Sequence, residues 1–351
     1  MKRRLAADAA AETPTTYVVT GGVYVDTLHE VAEFPDEDST CRALSVRRRR
    51  GGNAATTACV LAQCVAGADA VMWMGVLPSD GDNDSVRFAL DDMHSFGVDT
   101  SLRERVAGED LGLPSAMILV SRAKATRTIV SSRRGMRELS PCHFEAHLPN
   151  ACRNMWVHLE AREVETVAEM ASTFAERRRN HRHNRAWQLS VEIEKPAITP
   201  EQVGRLIAHA DVAFFSREWI EQHSAAVVGG PVSTNDADHV AVRTLRGLLE
   251  RHPHLLSDPS EKVWFCAWGA TGAYAFEPHT LAVHFQPAAD VAHVIDTTGA
   301  GDTFIGACIA ALSQSLPVPS VLQRGCSVAG KKVAQDGFAG LRAAFEDRKD
   351  L

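Results

Sequence analysis

Asp302 follows two glycines in the run Asp296-Thr297-Thr298-Gly299-Ala300-Gly301-Asp302-Thr303-Phe304. The stretch from Phe304 to Leu312 comes next, apolar almost all round and interrupted only by Gly306, which reads as a buried helix. Thr298 to Gly301 then lies at a helix N-terminus, where the first N–H groups have no internal partner. Without a Cβ at 299 and 301, an anion can come close to that backbone. Asp302, on the first turn, is placed to accept a proton. Amides that hold negative charge beside a carboxylate that takes a proton are the two parts needed for phosphoryl transfer to a hydroxyl. Taken alone, Gly-Ala-Gly-Asp also suits a capped helix whose Asp complements the dipole.

A second polar corner lies far upstream, at Gly51-Gly52-Asn53-Ala54-Ala55-Thr56-Thr57. The glycines permit close approach, Asn53 carries both donor and acceptor, and a helix begins there, so the corner suits a hydroxyl-bearing ligand. Asp26 stands just beyond the strand end Gly21-Gly22, placed either to bind a ligand or to cap a turn. The basic run Arg47 to Arg50 closes a strand expected over Cys41 to Arg50. It reads as a solvated or phosphate-facing strand end rather than a nuclear-import or RNA signal. His181 and His183 sit inside an arginine cluster that repels cations, so they read as a solvated loop rather than a metal site.

The elements that must hold these groups alternate. Strands are expected over Tyr17–Thr20, Ala70–Gly75, Ala116–Val120, Arg127–Ser131, Asn154–Glu160, Val212–Phe215 and Val263–Gly269, and the stretch Gln188–Pro196 ends another with two carboxylates, Glu192 and Glu194. Helices are expected over Ser85–Phe96 and from Val164 onward; the stretch Val321–Val333 and the glycine-bearing turn Gly337-Phe338 follow the central motif. Such alternation implies α/β architecture with a mostly parallel sheet covered on both faces. Residues 1–16 read as a disordered N-terminal extension, and 229–239 as a surface insertion.

The 351 residues carry a net charge of −7 with both signs interspersed, which argues against a nucleic-acid partner. No run reaches the roughly 20 apolar residues that span a membrane. The eight cysteines form no Cys-x-x-Cys pair, so zinc is not expected, and reduced thiols inside apolar runs suit a cytoplasmic protein.

The full Asp296–Phe304 string resembles the C-terminal motif of the PfkB, or ribokinase-like, sugar kinase family, and Gly51–Ala54 resembles its N-terminal glycine motif. Further stretches recur in order: Arg127-Thr128-Ile129-Val130, Trp156 to Arg162, Ser190 to Pro196, Cys266-Ala267-Trp268, Gly325 to Lys332 and Gly337-Phe338. Together they resemble the ketohexokinase branch, which phosphorylates the 1-hydroxyl of fructose. The resemblance implies a ribokinase-like three-layer sandwich over residues 17–341, with a small β-sheet lid from about 24–50 and 113–131 and a C-terminal tail over 342–351. It implies that Asp26, Asp38, Gly52, Asn53 and Thr56 bind the sugar, and that Arg127 reaches the phosphates. Gly269, Gly272 and Cys326 would line the adenine site, Gly299, Ala300 and Gly301 would form the anion hole, and Asp302 would be the base. ATP with Mg²⁺, possible help from K⁺, and a homodimer clasped through the lid follow from the same resemblance; no metal ligand is assigned.

Three positions depart from the branch: Thr56 stands where Asn is usual, Thr126-Arg127 replaces Asn-Arg, and Ala270 and Thr271 replace two acidic residues. The wider family's Asn-x-x-Glu magnesium motif is not evident at Ser216–Trp219. A kinase for another sugar or a nucleoside, and a catalytically silent sugar-binding regulator, are the competing readings. Asp302 is expected to face the site, so that its replacement by Asn leaves the melting temperature little changed.

Overall fold

The computed structural model describes residues 13–79, 83–108, 110–124, 126–150, 152–180, 186–230, 239–257 and 261–347. β1 (Thr15–Thr20) leads into β2 (Tyr24–Val31), β3 (Ser45–Gly51), α1 (Asn53–Cys64) and β4 (Ala70–Met74). A short parallel pair, β5 (Val76–Pro78) and β6 (Glu104–Val106), brackets α2 (Asn83–Ser95). β7 (Ser115–Ser121) and β8 (Thr126–Ser132) follow. Then come α3 (Pro141–His147), β9 (Asn154–Glu160), α4 (Val164–Asn180), β10 (Trp187–Ile193), α5 (Pro200–Leu206) and β11 (Val212–Phe215). After α6 (Arg217–Val228), α7 (Val240–Arg251) and β12 (Val263–Ala267), the hairpin β13 (Gly272–Glu277) and β14 (Ala282–Pro287) precedes α8 (Ala300–Ser313), α9 (Val318–Val333) and α10 (Arg342–Glu346).

The large sheet runs β14-β13-β12-β11-β10-β9-β1-β4, parallel from β12 to β4 and antiparallel at the β13–β14 edge. Its central strands are apolar on both faces because helices cover both. One face packs Phe265 and Trp73 against α1, α8 and α9; the other packs Trp187 and Trp264 against α4 to α7. From β1 the chain passes first to β4 on one side and later to β9 on the other. The crevice at the carboxyl ends of β1 and β9 is the topological switch point where open α/β sheets place ligands.

The second sheet has the order β3-β2-β7-β8. Alternation divides its faces. Asp26, Leu28, Ile118 and Ile129 look toward the crevice, while Val46, Met117 and Val130 look away and are 58%, 44% and 58% exposed.

Several boundaries shift from expectation. The first strand begins at Thr15, inside the expected extension, because Thr15 and Thr16 continue its pairing with β9. β3 starts at Ser45 rather than Cys41. The expected tail over 342–351 is partly core: Phe345 is buried, and α10 packs on α9. His181, His183, residues 231–238, the first twelve residues and the last four lie outside the described residues.

Candidate active site

A cavity of about 1050 Å³ opens at the switch point, between the small sheet and the large one. Its far wall is the head of α8. Gly299 caps that helix with φ 74°, in the left-handed region, and its carbonyl accepts from Thr303 N at 2.9 Å and Thr303 Oγ1 at 2.7 Å. The Ala300 N–H turns back to the Thr297 carbonyl at 3.3 Å. A Cβ on Gly301 would meet nothing within 4 Å, so the space over its backbone is open. Gly299, Ala300, Gly301 and Asp302 all line the cavity.

Asp302 is packed round by protein and keeps part of its surface open to the cavity. Burial raises its pKa well above the ordinary carboxylate value, and Glu192, Glu194 and Glu160 raise it further; Arg50 opposes them. Glu192 ends β10 in the cavity wall and accepts from Asn53 Nδ2 at 3.1 Å. Burial, then repulsion from Glu194, also raises the pKa of Glu192. Its other oxygen, Oε2, has no hydrogen-bond partner and lies 3.9 Å from an equally unpartnered His158 Nε2. Burial holds His158 down to about 4, so at neutral pH this is a carboxyl group beside a neutral imidazole. Glu160, at the end of β9, accepts from Gly22 N and Arg162 Nη1, each at 2.9 Å, and from Ala54 N at 3.4 Å, which ties the head of α1 to the sheet.

The opposite wall is the small sheet. Asp26 pairs in register with Arg49, and burial pushes it up to about 6 against the pull of Arg50 and Arg49. A Cβ on Gly51 would sit 2.2 Å from Asp26 Oδ2, so the glycine there is what lets the carboxylate fold back on β3. Gly52, Asn53 and Thr56 complete this corner. Thr56 is buried, and its hydroxyl accepts from Arg50 Nη1 at 2.8 Å while Arg50 Nε donates to Asp92 at 2.6 Å. Arg127 on β8 reaches across to donate to Thr297 Oγ1 at 3.1 Å.

Gly269, Gly272 and Cys326 line the third side. Gly272 has φ 133°, and a Cβ there would lie 2.0 Å from the Gln286 carbonyl. Burial pushes the Cys326 thiol up to about 12, so it is a neutral, apolar wall. Thus the structure gathers every expected site residue except Asp38. That residue sits in the exposed turn between β2 and β3, with φ 55°, and is not among the cavity lining. The turn carries it past the end of β2, away from the strand face that holds Asp26.

Sequence reasoning passed over a second layer. Asp296 lies beneath the turn. Its Oδ1 accepts from Thr298 N at 2.9 Å, and its Oδ2 accepts from Lys332 Nζ and Arg49 Nη1, each at 2.8 Å. Lys332 is fully buried, and its ammonium lies 5.0 Å from the centre of the Phe338 ring. Charged residues inside otherwise apolar α9 were the available signal.

A family model described as pfkB family carbohydrate kinase matches residues 15–341. This chain belongs to the pfkB carbohydrate kinase family. As a pfkB kinase it is 31% identical over 322 residues to ketohexokinase of Mus musculus, covering 92% of this chain and 97% of that protein. Among solved structures, a ribokinase from Giardia lamblia superposes with a TM-score of 0.71 at 17% identity, covering 95% of this chain and 98% of that one. A ribokinase from Cryptococcus neoformans var. grubii serotype A, in complex with ADP, superposes with a TM-score of 0.68 at 20% identity, covering 95% and 99%. These likenesses fix a ribokinase-like fold, and the cavity of this pfkB kinase occupies that fold's switch-point crevice.

Proposed function

We propose that the protein is an ATP-dependent ketohexokinase that phosphorylates the 1-hydroxyl of fructose. The observation that carries this is one cavity holding Asp302 at a glycine-lined helix head opposite Asp26 and Asn53. The sugar lies against Asp26, Gly52, Asn53 and Thr56. ATP lies toward Gly269, Gly272 and Cys326, its phosphates near Arg127. Asp302 takes the proton of the acceptor hydroxyl as its oxygen bonds to the γ-phosphorus. The bond to the β-phosphate oxygen breaks, and ADP leaves. The Gly299 to Gly301 backbone steadies the charge in flight.

Mg²⁺ keeps most of its shell for phosphate oxygens and water. The unpartnered buried oxygen of Glu192 fits such a cation, and Glu192 and Glu194 are the residues that would hold it. Stimulation by K⁺ belongs to the same proposal and is read by replacing K⁺ with tetramethylammonium. A coupled ADP-release assay across fructose, other sugars and nucleosides tests the whole; activity on ribose or a nucleoside in preference to fructose moves the protein to another substrate class. Asp302 in place argues against a silent regulator, which needs no base.

The base works only when deprotonated, so its raised pKa places the acid limb of the kcat/KM profile above the ordinary carboxylate range. Glu192→Gln keeps an acceptor for Asn53 and removes one opposing charge. Its acid limb should move to lower pH; an unmoved limb would separate Glu192 from the base.

Thr56 offers one hydroxyl where Asn offers two donors and an acceptor. A lost neutral hydrogen bond costs about 0.5–1.5 kcal/mol. Thr56→Asn should therefore lower the KM for fructose about two- to tenfold at similar kcat. An unchanged or higher KM would mean that Thr56 does not serve this sugar.

The small sheet is the lid in this reading. Its outer face shows Val46, Met117 and Val130 to solvent, and among the described residues both edges, β3 and β8, are unpaired in sheet order. A homodimer through this face covers them. Light scattering at micromolar concentration should give twice the chain mass; a monomer contradicts the assembly.

A further inference from the structure

Arg127 and Arg49 join the small sheet to the turn that builds the head of α8. Arg127 does so from β8 through one hydrogen bond to Thr297. Arg49 does so from β3, and its contacts are charged. Its Nη1 donates to Asp296 Oδ2 at 2.8 Å, and its Nη2 pairs with Asp336, which also accepts from Arg47 at 2.8 Å. Arg49 and Asp296 are 19% and 14% exposed, so their pair is mostly withdrawn from water. Exposed pairs contribute little to stability; a largely enclosed fork between two carboxylates is held more firmly.

Asp296 is the anchor of the turn. One of its oxygens fixes the Thr298 amide, and Lys332 holds the other oxygen and its carbonyl, at 2.8 and 3.0 Å. Against burial, hydrogen bonds from Lys332 and the Thr298 amide, with the Lys332 charge, hold its carboxyl down to about 2, so it is ionised throughout the working range. Lys332 belongs to α9, a fixed part of the body. Arg49 is the contribution of the small sheet. Arg49 also stands in register opposite Asp26, and its charge favours the Asp26 carboxylate. One guanidinium therefore touches the fields of both the sugar corner and the anion turn. Hydrogen bonds of this kind span only about 2.7–3.2 Å and weaken steeply as they bend, so a small displacement of β3 is felt at Asp296.

Resting on the proposed kinase reading, we infer that Arg49 is a positioning residue that couples the two halves of the site. Sugar bound against the small sheet holds Arg49 on Asp296, where it already sits, and so steadies the turn for phosphate. By linkage, nucleotide on the turn favours sugar to the same extent.

Calorimetry on the full chain tests this with fructose and the Mg²⁺ complex of the nonhydrolysable analogue AMP-PNP. In the native protein, saturating fructose should tighten analogue binding by about 5–50-fold. Arg49→Gln should reduce that factor below about twofold. Arg49→Lys keeps a cation beside Asp26 but cannot bridge two carboxylates, so it should retain fructose affinity and lose most of the coupling. Arg47→Gln, which removes only the outer bond to Asp336, should keep the native factor. Native coupling in Arg49→Gln, or none in a native protein that binds both fructose and the analogue, overturns the inference.

Amide exchange of the free protein supplies an arm independent of any sugar. Arg49→Gln should speed exchange at Thr298 by about tenfold, whereas Arg47→Gln should not. Unchanged exchange at Thr298 also overturns it. If the native protein binds the analogue and not fructose while the exchange result holds, the sugar assignment fails and the role of Arg49 stands.

Discussion

Asp302→Asn turns over about 10²–10⁴-fold more slowly than the native protein, and at neutral pH it melts at a higher temperature. The first effect is the loss of the base. The second follows from its surroundings. Burial and three neighbouring glutamates hold the folded carboxyl above its ordinary pKa. As pH rises, the unfolded chain gives up this proton first. Stability is therefore lost from the ordinary carboxylate range upward, and the loss is complete above the raised folded value. Asn cannot ionise and escapes it. Scanning calorimetry of both proteins at pH 8 and near pH 3 checks this: the melting temperatures should differ at pH 8 and approach one another at the lower pH. Near-native turnover would remove Asp302 as base, and equal melting at pH 8 would remove the crowding of charge around it. The sequence suggested an unchanged melting temperature, because nothing in its order sets Glu160, Glu192 and Glu194 around residue 302.

Gly299→Ala damages both stability and turnover. A Cβ at 299 would lie 2.6 Å and 2.7 Å from the Phe338 ring and 3.3 Å from Thr56 Cγ2, on a backbone at φ 74°. Phe338 cannot yield freely, since Arg50 stacks over its ring at 5.6 Å and Lys332 at 5.0 Å. Left-handed strain and overpacking each cost about 1–3 kcal/mol, so a loss of about 2–6 kcal/mol is expected in urea unfolding. Displacing one donor at the anion turn costs a further 10²–10³-fold or so in kcat. Gly301→Ala is the contrast. Its methyl group enters open space, so unfolding stays near native while ligand binding weakens. Native stability in Gly299→Ala would refute this account of the turn.

The two glycine motifs were legible because their meaning is local. A glycine with positive φ, a helix start and a polar side chain lie within a few positions at Gly52-Asn53 and at Gly299 to Asp302. The parallel sheet was legible from apolar strands at regular intervals, and β9 and β11 fall where expected. What escaped depends on distant partners. Asp296 reads as the first letter of a motif, and its structural weight comes from Lys332, 36 positions on, and Arg49, 247 positions back. The four arginines at 47–50 read as a solvated or phosphate-facing strand end, yet each finds a carboxylate and Arg50 is buried. Amphipathic α7 was readable from Ala241, Leu245, Leu248 and Leu249 at helical spacing and was overshadowed by the polar stretch before it. Asp38 shows the converse: a position carried over by resemblance does not say which side of a turn it occupies.

Helix α1 lies directly on α8. Thr57 Oγ1 reaches the Asp302 carbonyl at 3.5 Å across 245 positions of chain, and a Cβ on Gly306 would sit 3.0 Å from the Thr57 carbonyl. The apolar side of α1, with Ala55, Cys59 and Val60 fully buried in the finished molecule, is therefore made long before its cover. At about 5–20 residues per second on the ribosome, that wait is roughly 12–50 s. Throughout it the nascent chain shows the underside of its own binding corner to the cell. A polypeptide released before α8 is left with that surface bare, a target for chaperones and proteases rather than a fragment that still holds sugar.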